Sequence, residues 1–174
     1  MRPYLLYLLI LASQAICSQN KIQNQMVKDV LLELLIQNQT TNNFALKKVS
    51  STNISLRLND STASIGFIYR HIGESIHLFG TFLGEATSVQ NTTMGQSDSG
   101  QGAKYEDSRQ LLESGYVLLA NIIHKNSDEW WFEETDTPFF GKVTRLKLFS
   151  HILYHNSHHA GQISLTLSRG EKSK

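Results

Sequence analysis

The chain has 174 residues, enough for one domain with a substantial core, and a 40% hydrophobic fraction that is globular rather than disordered. Its 16 Lys and Arg stand against 15 Asp and Glu, for a formal net charge of +1. That balance argues against nucleic acid as a partner, because affinity for phosphates requires concentrated positive charge.

In chain order, the first segment reads as a secretory signal over residues 1–17. Arg2 supplies the positive start, Tyr4 to Ala12 is apolar, and Ala15-Ile16-Cys17 offers small residues before a cut. The apolar run is too short to cross a bilayer as a mature helix. The expectation is therefore an exported protein, periplasmic or secreted, with residues 18–174 as a single domain and no membrane span. Anchorage by lipid through Cys17 is the alternative, disfavoured by Gln14 and Ile16 as neighbours. Cys17 is the only cysteine, so the domain is expected to lack disulfides and thiolate ligands.

Asn24 to Gln37 places Val27, Val30, Leu31, Leu34 and Leu35 at three- and four-residue steps, which predicts an amphipathic helix. The polar stretch from Asn38 to Asp60 reads as a connection, with room for a short strand between Phe44 and Leu58. A second helix is predicted over about Thr62 to Leu83, capped by Asp60 or Ser61. Residues 87–102, rich in Ser, Gln, Gly, Asn and Thr, read as a mobile loop long enough to cross between helices or over a cleft. A third helix is expected over about Lys104 to Lys125. The aromatic connection that follows, with Trp130, Trp131, Phe132, Phe139 and Phe140, must pack on the bundle end or a pocket mouth. The last helix should start near Lys142 to Thr144 and run to about Ser168, with Gly170 as its stop. The sum is an all-α four-helix bundle with long crossover loops.

The last helix carries an apolar stripe through Leu148, Ile152 and Ile163 that passes through His155 and His159. Residues four apart lie above one another on a helix, so the two imidazoles can aim at one ion. In the second helix, His71 interrupts the inward row of Ile68, Ser75, Leu78 and Phe82. Three inward histidines on two helices are costly alone and satisfied together if they converge on a cation. Imidazoles suit a divalent transition metal, zinc first, with nickel, iron or manganese as alternatives. The other histidines read differently. His158 points about 100° away from the pair. His151 is a candidate for the pocket mouth, while His77 and His124 read as surface residues. Glu74 is a candidate base or acceptor behind His71, but reads more simply as a solvated helix-face carboxylate.

The run His155-Asn-Ser-His158-His159-Ala-Gly161-Gln162 resembles the H-x-x-H-H-x-G-Q signature of the DinB-like superfamily of metal-binding four-helix bundles. Ser64 to Glu74 resembles that family's second helix, and the resemblance extends from about Asn24 to Gly170. It implies His71, His155 and His159 as the ligands of a site with open coordination. Ala160 departs from the arginine that many members carry. The resemblance further implies a metal-dependent enzyme acting on a small-molecule substrate, as a thiol transferase, hydrolase or isomerase. The other reading is a non-catalytic, stress-associated metal-binding module. Pairing into a homodimer through helix faces is expected of such bundles.

Overall fold

The computed structural model describes residues 26–172, so the expected signal segment and Cys17 lie outside the described residues. Helix α1 covers residues 26–46 and is followed by a two-residue strand β1 (Leu56–Arg57), helix α2 (Ile65–Phe82) and helix α3 (Tyr105–Lys125). A short helix α4 (Asp128–Phe132) leads into the hairpin β2 (Glu134–Thr137) and β3 (Gly141–Thr144). Helix α5 (Arg145–Arg169) completes the bundle, and β4 (Glu171–Lys172) pairs antiparallel with β1, Leu56 opposite Lys172. The architecture is the expected all-α four-helix bundle, formed by α1, α2, α3 and α5. Among the described residues no helix is long and apolar enough to cross a membrane.

Each helix buries one face. Leu31 and Leu35 of α1, Ile72 and Ile76 of α2, Leu119 and Ile123 of α3, and Phe149 and Ile152 of α5 meet in one core. Helix α1 extends nine residues past the expected end at Gln37. Its later inward positions are Asn38 and Asn42, which read as loop in sequence but are buried here. Asn38 donates to the Leu153 carbonyl at 2.8 Å and to Ser157 Oγ at 2.9 Å, and accepts from Asn42 at 3.1 Å. Those bonds remove most of the penalty for burying an amide.

The start of α2 is also displaced from its expected place. Ser64, rather than Asp60 or Ser61, caps it by accepting from the Phe67 amide at 3.2 Å. Asp98, on the 87–102 loop, holds that cap: it accepts from Ser64 N at 2.8 Å and Ser64 Oγ at 2.6 Å, and pairs with Arg57 at 2.9 Å. The loop then presses its backbone onto the helix start. A Cβ on Gly102 would lie 1.9 Å from the carbonyl carbon of Gly66, so this crossing requires glycine. The stretch expected to be mobile is thus fastened to α2.

The aromatic connection is helix and hairpin rather than loop. Trp131 is fully buried at the bundle end, edge-on to Phe149 with centroids 5.3 Å apart. Phe139 and Phe140, at the hairpin turn, cover Phe79 at 5.9 and 6.4 Å. Thr144 ends the hairpin and caps α5 by accepting from Lys147 N. The hairpin therefore sets where α5, and the histidines on it, begin.

Candidate metal centre

His71 on α2 and His155 and His159 on α5 come together at the interface of the two helices. His155 Nε2 lies 3.1 Å from His71 Nε2 and 3.1 Å from His159 Nε2. The three possible ligand atoms all lie within 4.8 Å of one another. Nitrogens bound at about 2.0–2.1 Å to a tetrahedral zinc ion stand about 3.3–3.4 Å apart, and closer at smaller angles, so the spacing is that of a coordination sphere.

The outer nitrogens define the tautomers. Thr93 Oγ1 gives its proton to Glu74 Oε2 at 2.7 Å and so must accept from His71 Nδ1 at 3.0 Å. Gln162 Oε1 accepts from His159 Nδ1 at 2.7 Å, while Gln162 Nε2 donates to His158 Nε2 at 3.2 Å. Both rings thus carry their proton on Nδ1 and turn a bare Nε2 lone pair toward His155. A single N–H on His155 can satisfy one of those lone pairs and leaves the other facing nitrogen. One cation satisfies all three, and the donor set fits a divalent transition metal.

The environment keeps the rings neutral, as ligands must be. Burial, then the neighbouring imidazoles, lowers His155 from 6.5 to about 3. Burial and His159 lower His71 to about 4. His159 is also lowered by burial, against an opposing bond to Gln162. Phe67 lies parallel to the His71 ring, with centroids 6.4 Å apart, and Phe79 stands edge-on to His155 at 6.3 Å.

Glu74 is not a solvated surface carboxylate. It is fully buried and accepts from Thr92 N, Thr92 Oγ1 and Thr93 Oγ1, each at 2.7 Å, and from Arg70 Nε at 2.6 Å. Burial alone would raise its carboxyl, but these donors outweigh that and hold it below the usual range. Its effect reaches His71 through Thr93, a residue that sequence reading did not single out. His77 is likewise buried rather than on the surface: Nε2 donates to the Leu111 carbonyl at 3.2 Å and tethers α2 to α3. His124 is exposed, and His158 is exposed beside Gln162. His151 packs against Phe140 at 4.6 Å, one turn before His155, at the hairpin side of the centre.

On the side away from the hairpin, His71 and His159 line a cavity of about 370 Å³ together with Phe67, Ile68 and Gln162. The rings therefore meet a space large enough for a small ligand.

The family model described as DinB family matches residues 19–170. No match is found among curated proteins. Among solved structures, the chain is similar to YfiT from Bacillus subtilis, described as a probable metal-dependent hydrolase with an unusual four-helix bundle topology. The identity is 14% over 82% of this chain and 86% of that one, with a TM-score of 0.62. It is also similar to a variant of a mycothiol-dependent maleylpyruvate isomerase, at 14% identity and a TM-score of 0.61. That likeness covers 78% of this chain but 60% of the isomerase. A third likeness is to the colibactin self-resistance protein ClbS, solved with double-stranded DNA. There the identity is 13% over 81% of this chain and 95% of that one, with a TM-score of 0.55. At these identities the likenesses establish the fold.

Proposed function

The chain belongs to the DinB family, and from that premise we propose a divalent-metal-dependent enzyme that acts on a small molecule through His71, His155 and His159. The reaction is of the hydrolase or thiol-transferase type. The observation that carries this reading is the convergence of three Nε2 atoms beside a cavity that two of their rings line. A metal held only to brace the bundle has no need of such a space, whereas a catalytic one needs an open position.

When bound, the ion would supply Lewis acidity, polarising a substrate oxygen or lowering the pKa of water or a thiol that reaches it. The protein's part is to present and protect that centre. Thr93 and Gln162 hold the Nδ1 protons of His71 and His159, so that both Nε2 lone pairs face inward. Glu74 is saturated with donors and serves to orient Thr93 rather than to take a proton from substrate. Phe67 flanks the His71 ring and Phe79 the His155 ring.

The likenesses to a described hydrolase and a described thiol-dependent isomerase support a small-molecule substrate. The near-neutral charge of this chain favours that over a nucleic acid. Export, inferred from the first 17 residues, favours hydrolysis over transfer from a cytosolic thiol. Metal analysis of the purified protein and of His155→Ala tests the reading, followed by assays of ester hydrolysis and thiol conjugation with added divalent metals. The wild type should retain about one ion per chain and the variant should lose it. A wild type that binds no divalent metal under any condition contradicts the proposal.

A further inference from the structure

The cavity beside His71 and His159 pairs an apolar wall with uncharged polar side chains. Leu58, Ala63, Phe67 and Ile68 supply its apolar surface, and among the described residues that line it there is no Lys, Arg, Asp or Glu. At about 370 Å³ it is near the lower end of small-molecule sites, which span roughly 300–1,000 Å³.

The polar groups in its lining are already engaged. Gln162 spends its carbonyl on His159 and its amide on His158. Thr166 donates its hydroxyl to the main-chain carbonyl of Gln162 at 2.9 Å. Thr62 donates its hydroxyl to the Asn59 carbonyl at 2.9 Å, and its own carbonyl accepts from Arg57 at 2.7 Å. The nearby cations are also taken: Arg57 by Asp98 and Arg70 by Glu74. A charged substituent placed in the cavity would lose its hydration and find no counter-ion. An apolar one would displace water from hydrocarbon walls, which is favourable.

We infer that this cavity selects substrates with a neutral, apolar body, of the size of a phenyl ring or short alkyl chain, joined to a single metal-seeking head group. This rests on the metal reading above and adds to it the substrate class: uncharged aryl or short-chain acyl compounds, rather than polyol- or carboxylate-bearing thiols. Specificity then resides in Leu58, Ala63, Phe67 and Ile68, with the head group held at the histidines.

The test uses full-length protein loaded with cobalt(II), whose visible absorption reports both occupancy of the site and ligands that reach it. Three hydroxamates share one head group and differ in tail: acetohydroxamate, benzohydroxamate and the monohydroxamate of succinate. Benzohydroxamate should bind about tenfold more tightly than acetohydroxamate, from apolar burial, and the succinate compound more weakly than either. Ala63→Phe, which fills the cavity, should abolish the benzohydroxamate advantage over acetohydroxamate, and the cobalt spectrum of the ligand-free variant checks that the site is still occupied. Leu58→Lys, at an exposed edge of the wall, should reverse the order in favour of the succinate compound. Equal affinities for the three tails, or tightest binding of the succinate compound by wild type, overturns the inference while leaving the metal reading intact. Absence of any cobalt spectrum overturns the metal reading instead. In that case the melting temperature of the metal-free protein decides: benzyl alcohol should raise that of wild type but not of Ala63→Phe, and succinate neither. No such difference overturns the inference.

Discussion

Thr93 stands between a buried carboxylate and the His71 ring, accepting from His71 Nδ1 and donating its hydroxyl to Glu74. Thr93→Val removes both bonds without a large change in volume. It should weaken metal affinity by about 10–100-fold, the usual cost of losing a partner behind a ligand, as measured by chelator competition. Thr93→Ser should restore most of it, and unchanged affinity in Thr93→Val would show that His71 needs no such support. The rings themselves predict a pH effect. His71 and His155 titrate near 4 and 3 in the folded chain, against 6.5 for an ordinary imidazole. As pH falls below about 6.5, the unfolded chain therefore takes up protons that the folded chain refuses. The stabilisation is complete above that value and is lost as pH drops toward the folded pKa values. Thermal melts of the metal-free protein should show a steep loss between neutral pH and about 4, and a shallower one in His155→Ala. Parallel slopes would contradict the assignment of buried neutral rings.

At the scale of elements, the parts legible in sequence are those where an apolar stripe is interrupted by a residue with one good explanation. The Leu148, Ile152 and Ile163 stripe of α5 fixes the inward direction of His155 and His159, and the row on α2 does the same for His71. The second half of α1 was not legible, because Asn38 and Asn42 are inward and polar; the partners of Asn38, Leu153 and Ser157, lie on a distant helix. Glu74 and His77 were misplaced for the same reason. Their burial depends on Thr92 and Thr93 from the crossover loop and on Leu111 from α3, contacts that no helical period encodes. The loop itself was legible as a crossover. Its fastening was not, since Asn, Ser and Thr serve free and anchored loops alike. That fastening is testable at Gly102. A methyl group there would sit only 1.9 Å from the Gly66 carbonyl carbon, so Gly102→Ala must push the loop off α2. A loss of roughly 1–3 kcal/mol is expected from such overpacking, seen as a lower midpoint in urea. An unchanged midpoint would mean the crossing is loose.

For the molecule as a whole, the bundle is an arrangement for bringing two helices to one point. Ser64, held by Asp98, fixes where α2 starts, and the hairpin ending at Thr144 fixes where α5 starts. With both origins set, His71 falls level with His155 and His159 across the α2–α5 interface. The hairpin aromatics close one side of the centre and the apolar cavity opens the other. A shift of either helix by one residue would turn its histidine by about 100° and dissolve the site. X-ray absorption at the metal edge of the purified wild-type protein tests this convergence most directly. Three imidazole nitrogens at about 2.0–2.1 Å, with at least one further light-atom ligand not supplied by the protein, are the predicted result. A shell with fewer than three imidazoles, or one closed by four protein ligands, would contradict it.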